Sequence, residues 1–205
     1  KIAGEGPRAT PTIHEKNVYA LGATGILNCL ELETGKPVWQ RNIASDAGLE
    51  NDDEVDQTGA SKKRNKAKEW GYSSSPLILE GKVIVSAGGE SGKSLLAYNF
   101  DSGEPVWSGG NSRAGYSSAH TATIHGEEQV LIFNQEELTA HAPETGSVIW
   151  SFEWKVGVPH VSMPVILNDN QILLSLGYGQ GSKLVQVTKS EGSYSANELW
   201  SSRFM

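Results

Sequence analysis

"LELETGKPVW", residues 30–39, is the stretch that decides the fold of this 205-residue chain. Its plan recurs in "YNFDSGEPVW" at 98–107 and in "HAPETGSVIW" at 141–150. Each copy has an acidic residue, then Thr or Ser, then Gly, and a Trp four positions after the Gly. A weaker fourth copy ends at Trp200 and carries Gly192 with a longer connection. Self-similarity at a fixed spacing indicates a repeat architecture.

Four short apolar or alternating runs accompany each tryptophan, and turn residues separate them. Four strands per unit at a period of about 40–50 residues are typical of a β-propeller blade. Helical solenoids are excluded because no segment keeps a 3.6-residue period. We therefore predict an all-β propeller of four-stranded antiparallel blades, about four of them. The blades span 6–43, 71–108, 115–152 and 159–202 in a single partial propeller domain of residues 1–205.

The motif itself has a direct physical interpretation. The acid–Thr/Ser–Gly triplet predicts the turn between the third and fourth strands, where Gly accepts a positive φ. The Trp that follows lies on the outer strand, and its ring can cover the seam to the next blade. We expect these residues to dock blades and not to bind ligand: Trp39, Trp107, Trp150 and Trp200, with Gly35, Gly103 and Gly146.

Small residues recur ahead of each blade, as in "GYSSSP" at 71–76 and "GYSSAH" at 115–120. The innermost strands of a propeller converge on its axis, and Ser, Ala and Gly suit that crowded centre. The larger side chains in these segments are candidates for lining an axial channel: Arg8, Tyr72, Tyr116, His120 and His160.

The motifs "ETGKPVW" and "ETGSVIW" resemble the tryptophan-docking repeat of the PQQ-like, or quinoprotein-type, β-propeller family. The resemblance covers most of residues 6–202. Within that family, the chain resembles the non-enzymatic branch that includes the lipoprotein of the outer-membrane β-barrel assembly machine. Members of the family usually have seven or eight blades. We therefore expect half of a larger ring, with a closed four-bladed ring as the alternative, and the open propeller ends of such a fragment would be paired or covered.

Resemblance to the quinoprotein alcohol dehydrogenases would imply a calcium site of carboxylate and amide oxygens, a catalytic Asp and a pair of adjacent cysteines. Adjacent cysteines are impossible because Cys29 is the only cysteine, and the inner runs carry no Asp or Glu. We expect no catalytic residues, no metal site, and neither PQQ nor calcium. The preferred interpretation is a non-catalytic scaffold for a protein or an unknown small ligand. The alternatives are a fragment of a PQQ-dependent dehydrogenase and an unrelated enzyme acting at the axial channel.

Charge and hydropathy limit the partners. The net charge of −7 argues against a nucleic-acid surface. No apolar run approaches the roughly 18 residues that a membrane-spanning helix needs. A periplasmic or otherwise extracytoplasmic location is what the family resemblance implies.

Residues 44–69 form an insertion that is too long for an ordinary link between blades. Its first half is acidic and its second half is basic, including "NDDEVD" at 51–56 and "KKRNKAK" at 62–68. Low apolar content predicts a solvated excursion, and a binding loop on one propeller face is the alternative. In contrast, "SAGGESGKS" at 86–94 only superficially resembles a phosphate loop, and we predict a turn between two strands there.

Overall fold

The structure is a computed structural model that describes residues 8–49 and 70–204. Its strands form four separate four-stranded antiparallel sheets, each a simple meander in chain order. The first sheet holds β1 (Thr12–His14), β2 (Asn17–Leu21), β3 (Ile26–Glu31) and β4 (Pro37–Asn42). The second holds β5 (Leu77–Leu79), β6 (Lys82–Gly89), β7 (Lys93–Asn99) and β8 (Pro105–Gly109).

The third sheet holds β9 (His120–Ile124), β10 (Glu127–Phe133), β11 (Glu137–His141) and β12 (Val148–Glu153). The fourth holds β13 (Val165–Ile166), β14 (Gln171–Leu176), β15 (Gly181–Ser190) and β16 (Ser193–Ser202). The sheets follow one another as the blades of a partial propeller and do not close into a ring. The predicted all-β fold of four-stranded blades is confirmed, and so is the turn between β6 and β7.

The core lies in three layers between consecutive sheets. Central strands supply two layers at once, because successive side chains point to opposite faces. In β6, Val83 and Val85 pack toward the first sheet, whereas Ile84 packs against Val130 and Ile132 of the third. A continuous apolar run such as "KVIVSAG" is therefore a strand with both faces buried.

The predicted turn has the same geometry in the first three blades. Gly35, Gly103 and Gly146 have φ of 68°, 73° and 72°. Each glycine donates its backbone N–H to the carbonyl four residues earlier, at 2.8–2.9 Å. In each turn the hydroxyl of the preceding Thr or Ser accepts the backbone N–H two residues ahead of it. Backbone N–H groups of each turn thus find hydrogen-bond acceptors within the turn itself.

The indole of one blade lies on the glycine turn of the next blade. Trp39 packs so closely against Gly103 that a Cβ on this glycine would lie 2.7 Å from the indole ring. The indole Nε1 donates to the Phe100 carbonyl at 2.9 Å. Trp107 repeats the contact on Gly146, and its Nε1 donates to the Pro143 carbonyl at 2.9 Å. In both junctions the carbonyl acceptor precedes the glycine by three residues.

A β-bulge accompanies each of the four motif tryptophans. In each sheet the pairing between the third and fourth strands shifts by one residue next to the Trp. The extra residues are Val38, Val106, Ile149 and Leu199, each directly before its tryptophan. A bulge bends the strand and re-aims the side chain that follows it. The aliphatic residue before each Trp in the sequence marks this position.

The junction between the third and fourth blades departs from the plan. Trp150 is only 4% exposed, but its Nε1 donates to Gln129 Oε1 of its own sheet at 2.8 Å. Gly192 has no atom near the site of a Cβ, so it does not receive an indole. An apolar layer still lies between these blades. Polar contacts take the place of the indole–glycine contact beside it, and His125 Nε2 lies 2.9 Å from the Val187 carbonyl. Lys189 and Tyr194 of the long β15–β16 hairpin both bind the carboxylate of Glu127.

Hydrogen bonds link the small-residue segments of successive blades. The Thr10 backbone N–H donates to Ser75 Oγ at 3.1 Å, and the Ser75 backbone N–H donates to Ser118 Oγ at 2.9 Å. The Tyr116 backbone N–H donates to the His160 carbonyl at 2.7 Å. The segments therefore lie side by side along the inner edge, and their short side chains permit this approach.

The start of the predicted insertion is ordered core and not a solvated excursion. Residues Ile43–Asp46 form a single helical turn, α1, capped by the Asn42 side chain. Ala44, Ala47 and Leu49 are buried between the first two blades. Their apolar side chains explain the difference, because they fill the seam beside Tyr72. The remainder of the insertion, including "NDDEVD" and "KKRNKAK", lies outside the described residues.

Two glycines of the third blade allow a test of indole docking. Gly146→Ala would place a Cβ 2.3 Å from Trp107, whereas Gly126→Ala, at φ 77°, meets no atom within 4 Å. Both substitutions strain a left-handed backbone, but only the first also displaces the indole. We expect Gly146→Ala to lower the free energy of unfolding by about 1–3 kcal/mol more than Gly126→Ala. Urea denaturation followed by circular dichroism measures this, and equal losses would contradict the docking role.

Two histidines, one fully buried and one half-buried, make stability depend on pH. Burial lowers the pKa of His141, and the Gly146 carbonyl that its Nδ1 contacts at 2.8 Å partly opposes that effect. Burial likewise lowers the pKa of His120. As pH falls below about 6.5, the unfolded chain takes up protons that the folded chain does not, so stability decreases.

The substitution His141→Asn removes one of these protons and keeps a donor for the Gly146 carbonyl. We expect the loss of unfolding free energy between pH 7 and 5.5 to become shallower by up to about 1.4 kcal/mol per pH unit. The control is His14→Asn, because the His14 side chain is 42% exposed. Urea denaturation at several pH values gives the slopes, and an unchanged slope for His141→Asn would contradict the assignment.

Candidate functional site

A polar cleft of about 660 Å³ opens where the second and third blades meet, on the face that carries the insertion. Its wall combines the start of the insertion, the β6–β7 turn, the link after β8 and the β10–β11 turn. Its wall includes Leu49, Glu90, Lys93, Asn111, Arg113 and Glu136. A volume of this size is typical of ligand-binding clefts.

Helix α1 fixes one side of the cleft. The Asp46 carboxylate accepts from Arg41 Nε and Nη2 at 3.1 and 3.0 Å, and from the Tyr98 hydroxyl at 2.8 Å. Lys93 Nζ donates to the Asp46 carbonyl at 2.8 Å. Gly89 permits the close approach, because a Cβ there would stand 2.7 Å from the Ala47 carbonyl oxygen. These contacts hold the first residues of the insertion in place, up to Leu49 in the cleft wall.

Tyr98 is the buried member of this network. It is 1% exposed, and the Arg41 guanidinium lies 5.4 Å from the centre of its ring. Burial raises the pKa of Tyr98, and the hydrogen bond to Asp46 raises it further. The hydroxyl thus stays protonated and acts as a permanent donor to the carboxylate.

An ion pair fixes the opposite side. Arg113 donates to Glu136 Oε1 through Nε at 3.1 Å and Nη2 at 2.6 Å, with each side chain about one third exposed. The Arg113 carbonyl accepts the Gln135 backbone N–H at 3.0 Å. Asn111 Oδ1 accepts the Gly92 backbone N–H at 2.7 Å, which ties the β6–β7 turn to the link between blades.

The charges in the cleft are balanced. Lys93 and Arg113 provide two cations, while Glu90 and Glu136 provide two carboxylates. Partly exposed charges of both signs, with backbone groups between them, suit a ligand that carries both hydrogen-bond donors and acceptors.

Two of the five predicted channel residues are buried between blades. Tyr72 is 3% exposed and lies in the seam between the first two sheets, where its hydroxyl donates to the Ala87 carbonyl at 3.3 Å. His160 is fully buried, with its ring 4.4 Å from that of Phe133. Neither ring faces open space within the described residues, because the seams between blades take up both of them.

The other three remain partly exposed at the inner edge. Arg8 donates from Nη1 to the Trp70 carbonyl, and the Trp70 ring lies 5.5 Å from that of Tyr116. His120 begins β9. The described structure brings Arg8 and Tyr116 together through Trp70. Lining of a channel by these residues stays a prediction, since four blades enclose no axis.

The docking residues likewise divide into two groups. Trp39 and Trp107 dock on Gly103 and Gly146 as predicted from the motif. Trp150 is buried without a glycine turn beneath it. Trp200, on the fourth blade, is 45% exposed. Gly35, on the first blade, has no atom within 4 Å of the position of a Cβ.

Metal chemistry has no obvious site in the described chain. Across residues 8–49 and 70–204, no three His, Cys, Asp or Glu side chains lie close enough to hold an ion. Cys29 is fully buried, and burial raises the pKa of its thiol. It packs opposite Trp39 as a small core residue.

The cleft residues were not predicted from the sequence. Glu90 and Lys93 lie in the stretch compared with a phosphate loop, and Arg113 and Glu136 lie in short connections without a motif. A usable signal is positional: links after a Trp strand and turns between second and third strands reach the same propeller face. Charged residues at those places, beside the insertion, indicate the cleft.

Comparison with known proteins identifies the repeat. A family model described as "Outer membrane protein assembly factor BamB" matches residues 55–203, more than half of the chain. No match was found among curated proteins.

Solved structures with the same fold include three kinds of propeller. BamB from Moraxella catarrhalis aligns with a TM-score of 0.59 at 16% identity, over 96% of this chain and 51% of that one. The C-terminal WD40 domain of Sif2 aligns with a TM-score of 0.56 at 8% identity, over 93% and 52%. Quinohemoprotein alcohol dehydrogenase ADHIIG from Pseudomonas putida HK5 aligns at 0.51 and 12% identity, over 92% and 34%. The chain thus spans about half the length of the first two, and these likenesses show the fold alone.

A bilayer-spanning helix is not found in the part of the chain that the structure describes.

The brace under the cleft can be tested by a double-mutant cycle. Asp46→Ala leaves the buried Tyr98 hydroxyl without its acceptor, so we expect a loss of about 1–3 kcal/mol in unfolding free energy. Adding Tyr98→Phe removes the orphaned hydroxyl and should restore about 1 kcal/mol of that loss. The matched control is Glu153→Ala, which removes an exposed pair with Lys155 and should change stability by less than about 0.5 kcal/mol. Purely additive effects of the Asp46 and Tyr98 substitutions would contradict the coupling.

Proposed function

Since the chain belongs to the family of outer membrane protein assembly factor BamB, we propose that it is a non-catalytic scaffold that binds a protein partner through the cleft between its second and third blades. An extracytoplasmic location is part of the proposal and rests on the family. The observation that carries the binding site is the cleft itself, with its braced walls and its balanced charges.

The partner best suited to the cleft is an extended polypeptide segment. Such a segment has backbone donors and acceptors throughout, and its side chains can supply one charge of each sign. An acidic side chain would pair with Lys93 or Arg113, and a basic one with Glu90 or Glu136. Because Arg113 and Glu136 already pair with each other, they are held in place before a ligand arrives, which lowers the entropy lost on binding.

The first residues of the insertion lie in the wall of this site. The described chain stops at Leu49 in the cleft wall and resumes at Trp70. Between them the sequence carries an acidic half followed by a basic half. Charged segments beside a pocket steer the encounter of a charged partner and select against partners of the wrong sign.

No specific observation favours dehydrogenase activity. The quinohemoprotein alcohol dehydrogenase shares only the fold with this chain. A vicinal cysteine pair is impossible because Cys29 is the only cysteine. The proposal therefore contains no step through a metal or a quinone.

Selection from a random peptide library tests the proposal. Peptides are selected on the immobilised chain, and their dissociation constants are measured by fluorescence anisotropy. We expect the selected peptides to bind at least about tenfold more weakly to Lys93→Glu and to Arg113→Glu, since each reverses a charge in the cleft.

The matched control is Lys183→Glu on the fourth blade. Lys183 pairs with Glu198 in an ion pair of comparable exposure, far from the cleft in the chain. Binding to this variant should stay within about twofold of the parent chain. Peptides that bind equally to the cleft variants and the parent chain would contradict the assignment of the site.

An activity assay separates the scaffold from the dehydrogenase. The chain is incubated with PQQ and Ca²⁺, and reduction of an electron-accepting dye is followed with alcohols and aldoses as substrates. We expect no turnover above a control that contains heat-denatured chain. Steady dye reduction that depends on PQQ would overturn the scaffold function.

A further inference from the structure

A second hollow, of about 310 Å³, adjoins the cleft where helix α1 meets strands β7 and β8. Lys93 lines both spaces, so they meet at this side chain. Helix α1 ends between them, because Asp46 borders the hollow whereas Ala47 and Leu49 border the cleft. One ligand can therefore contact the cleft and the hollow together, on the two sides of Lys93.

The floor of the hollow is apolar. Leu96 and Tyr98 are 5% and 1% exposed, and both belong to the layer between the first two sheets, so the hollow lies within an internal junction. The rim on β8 includes Pro105 and Val106, and Val106 is 47% exposed. An exposed aliphatic rim beside a buried apolar floor suits an apolar side chain.

The border between the two spaces is cationic. Lys93 Nζ donates to the Asp46 carbonyl at 2.8 Å, and an ammonium group has two further donors. The Asp46 carboxylate is already engaged by Arg41 and by the Tyr98 hydroxyl. A ligand group at this border therefore meets the remaining donors of Lys93, and a negative charge is complementary to them.

We propose that the hollow is an apolar subsite of the cleft, and that the bound segment combines an acidic residue with a large aliphatic or aromatic one. The acidic side chain pairs with Lys93, and the apolar side chain enters the hollow beside Val106. Side chains two positions apart in an extended segment lie on the same side, so one residue separates the two. This inference rests on the proposed function of the cleft and adds the chemistry by which the site selects its partner.

Peptides selected from a random library on the immobilised chain test this pairing. We expect the tight binders to share an acidic residue two positions from a large aliphatic or aromatic residue. Replacing that apolar residue of the peptide by Ala should raise the dissociation constant at least about tenfold, because burial of a large side chain contributes that factor or more. Fluorescence anisotropy measures the constants.

Two opposite charges at Val106 separate an apolar contact from a purely electrostatic effect. Val106→Asp and Val106→Lys each place a charge at the rim of the hollow, so both should weaken binding at least about tenfold. An electrostatic effect alone would weaken the binding of an acidic segment in the first variant and strengthen it in the second. In both variants the Ala replacement in the peptide should weaken binding by less than about threefold further, because the subsite is already lost.

The matched controls are Val38→Asp and Val38→Lys. Val38 is the bulge residue of the first blade, as Val106 is of the second, and it is 50% exposed but does not line the hollow. Binding to these variants should stay within about twofold of the parent chain. Circular dichroism of every variant shows whether the blades remain folded, so that a loss of binding can be separated from unfolding.

The Lys93→Glu variant distinguishes failure of the subsite from failure of the cleft. Peptides that lose affinity for Lys93→Glu but bind the Val106 variants as tightly as the parent chain would overturn the subsite and leave the cleft in place. Peptides that lose affinity for the Val106 variants but not for Lys93→Glu would overturn the pairing and make the hollow a site of its own. A library that yields no peptide sensitive to either position would count against both the subsite and the proposed function.

Discussion

The contact of an indole with a glycine turn is the interaction on which this structure depends. A strand pairs only with strands in its own sheet, so hydrogen bonds of the sheets cannot hold one blade to the next. Trp39 and Trp107 provide that link through a flat apolar ring and one directed donor. The ring can reach the turn only because Gly103 and Gly146 lack a Cβ. Tight packing of this kind fixes the angle between blades, and with it the position of every loop on the propeller faces.

Much of this fold could be predicted from local sequence. The Gly and Trp of "ETGKPVW" have fixed spacing because one turn and one bulge separate them, and such short-range geometry is written in adjacent residues. The sequence did not reveal that the fourth blade uses polar contacts through Glu127 and Val187 instead. The residues that make these polar contacts belong to no repeated motif, so no local pattern marks them.

The site was harder to predict for the same reason. Tyr72 and His160 were predicted to line a channel because they are large side chains in runs of small ones. Large rings also fill the seams between blades, and both side chains are buried. The cleft brings together Lys93, Arg113 and Glu136 from three connections, none with a motif of its own. Helix α1 was not predicted, because the apolar residues Ala44, Ala47 and Leu49 stand among charged residues in the sequence.

The β15–β16 hairpin has a further consequence. Its ten-residue strands extend about 33 Å, roughly twice the length of the other outer strands. At its tip, a Cβ on Gly192 would meet no atom within 4 Å. A loop that carries no packing contact can accept added residues without disturbing the layers below it. The propeller therefore has a natural point of attachment, where a fluorophore, an affinity tag or a whole fused domain could be placed while the seams between the blades stay intact.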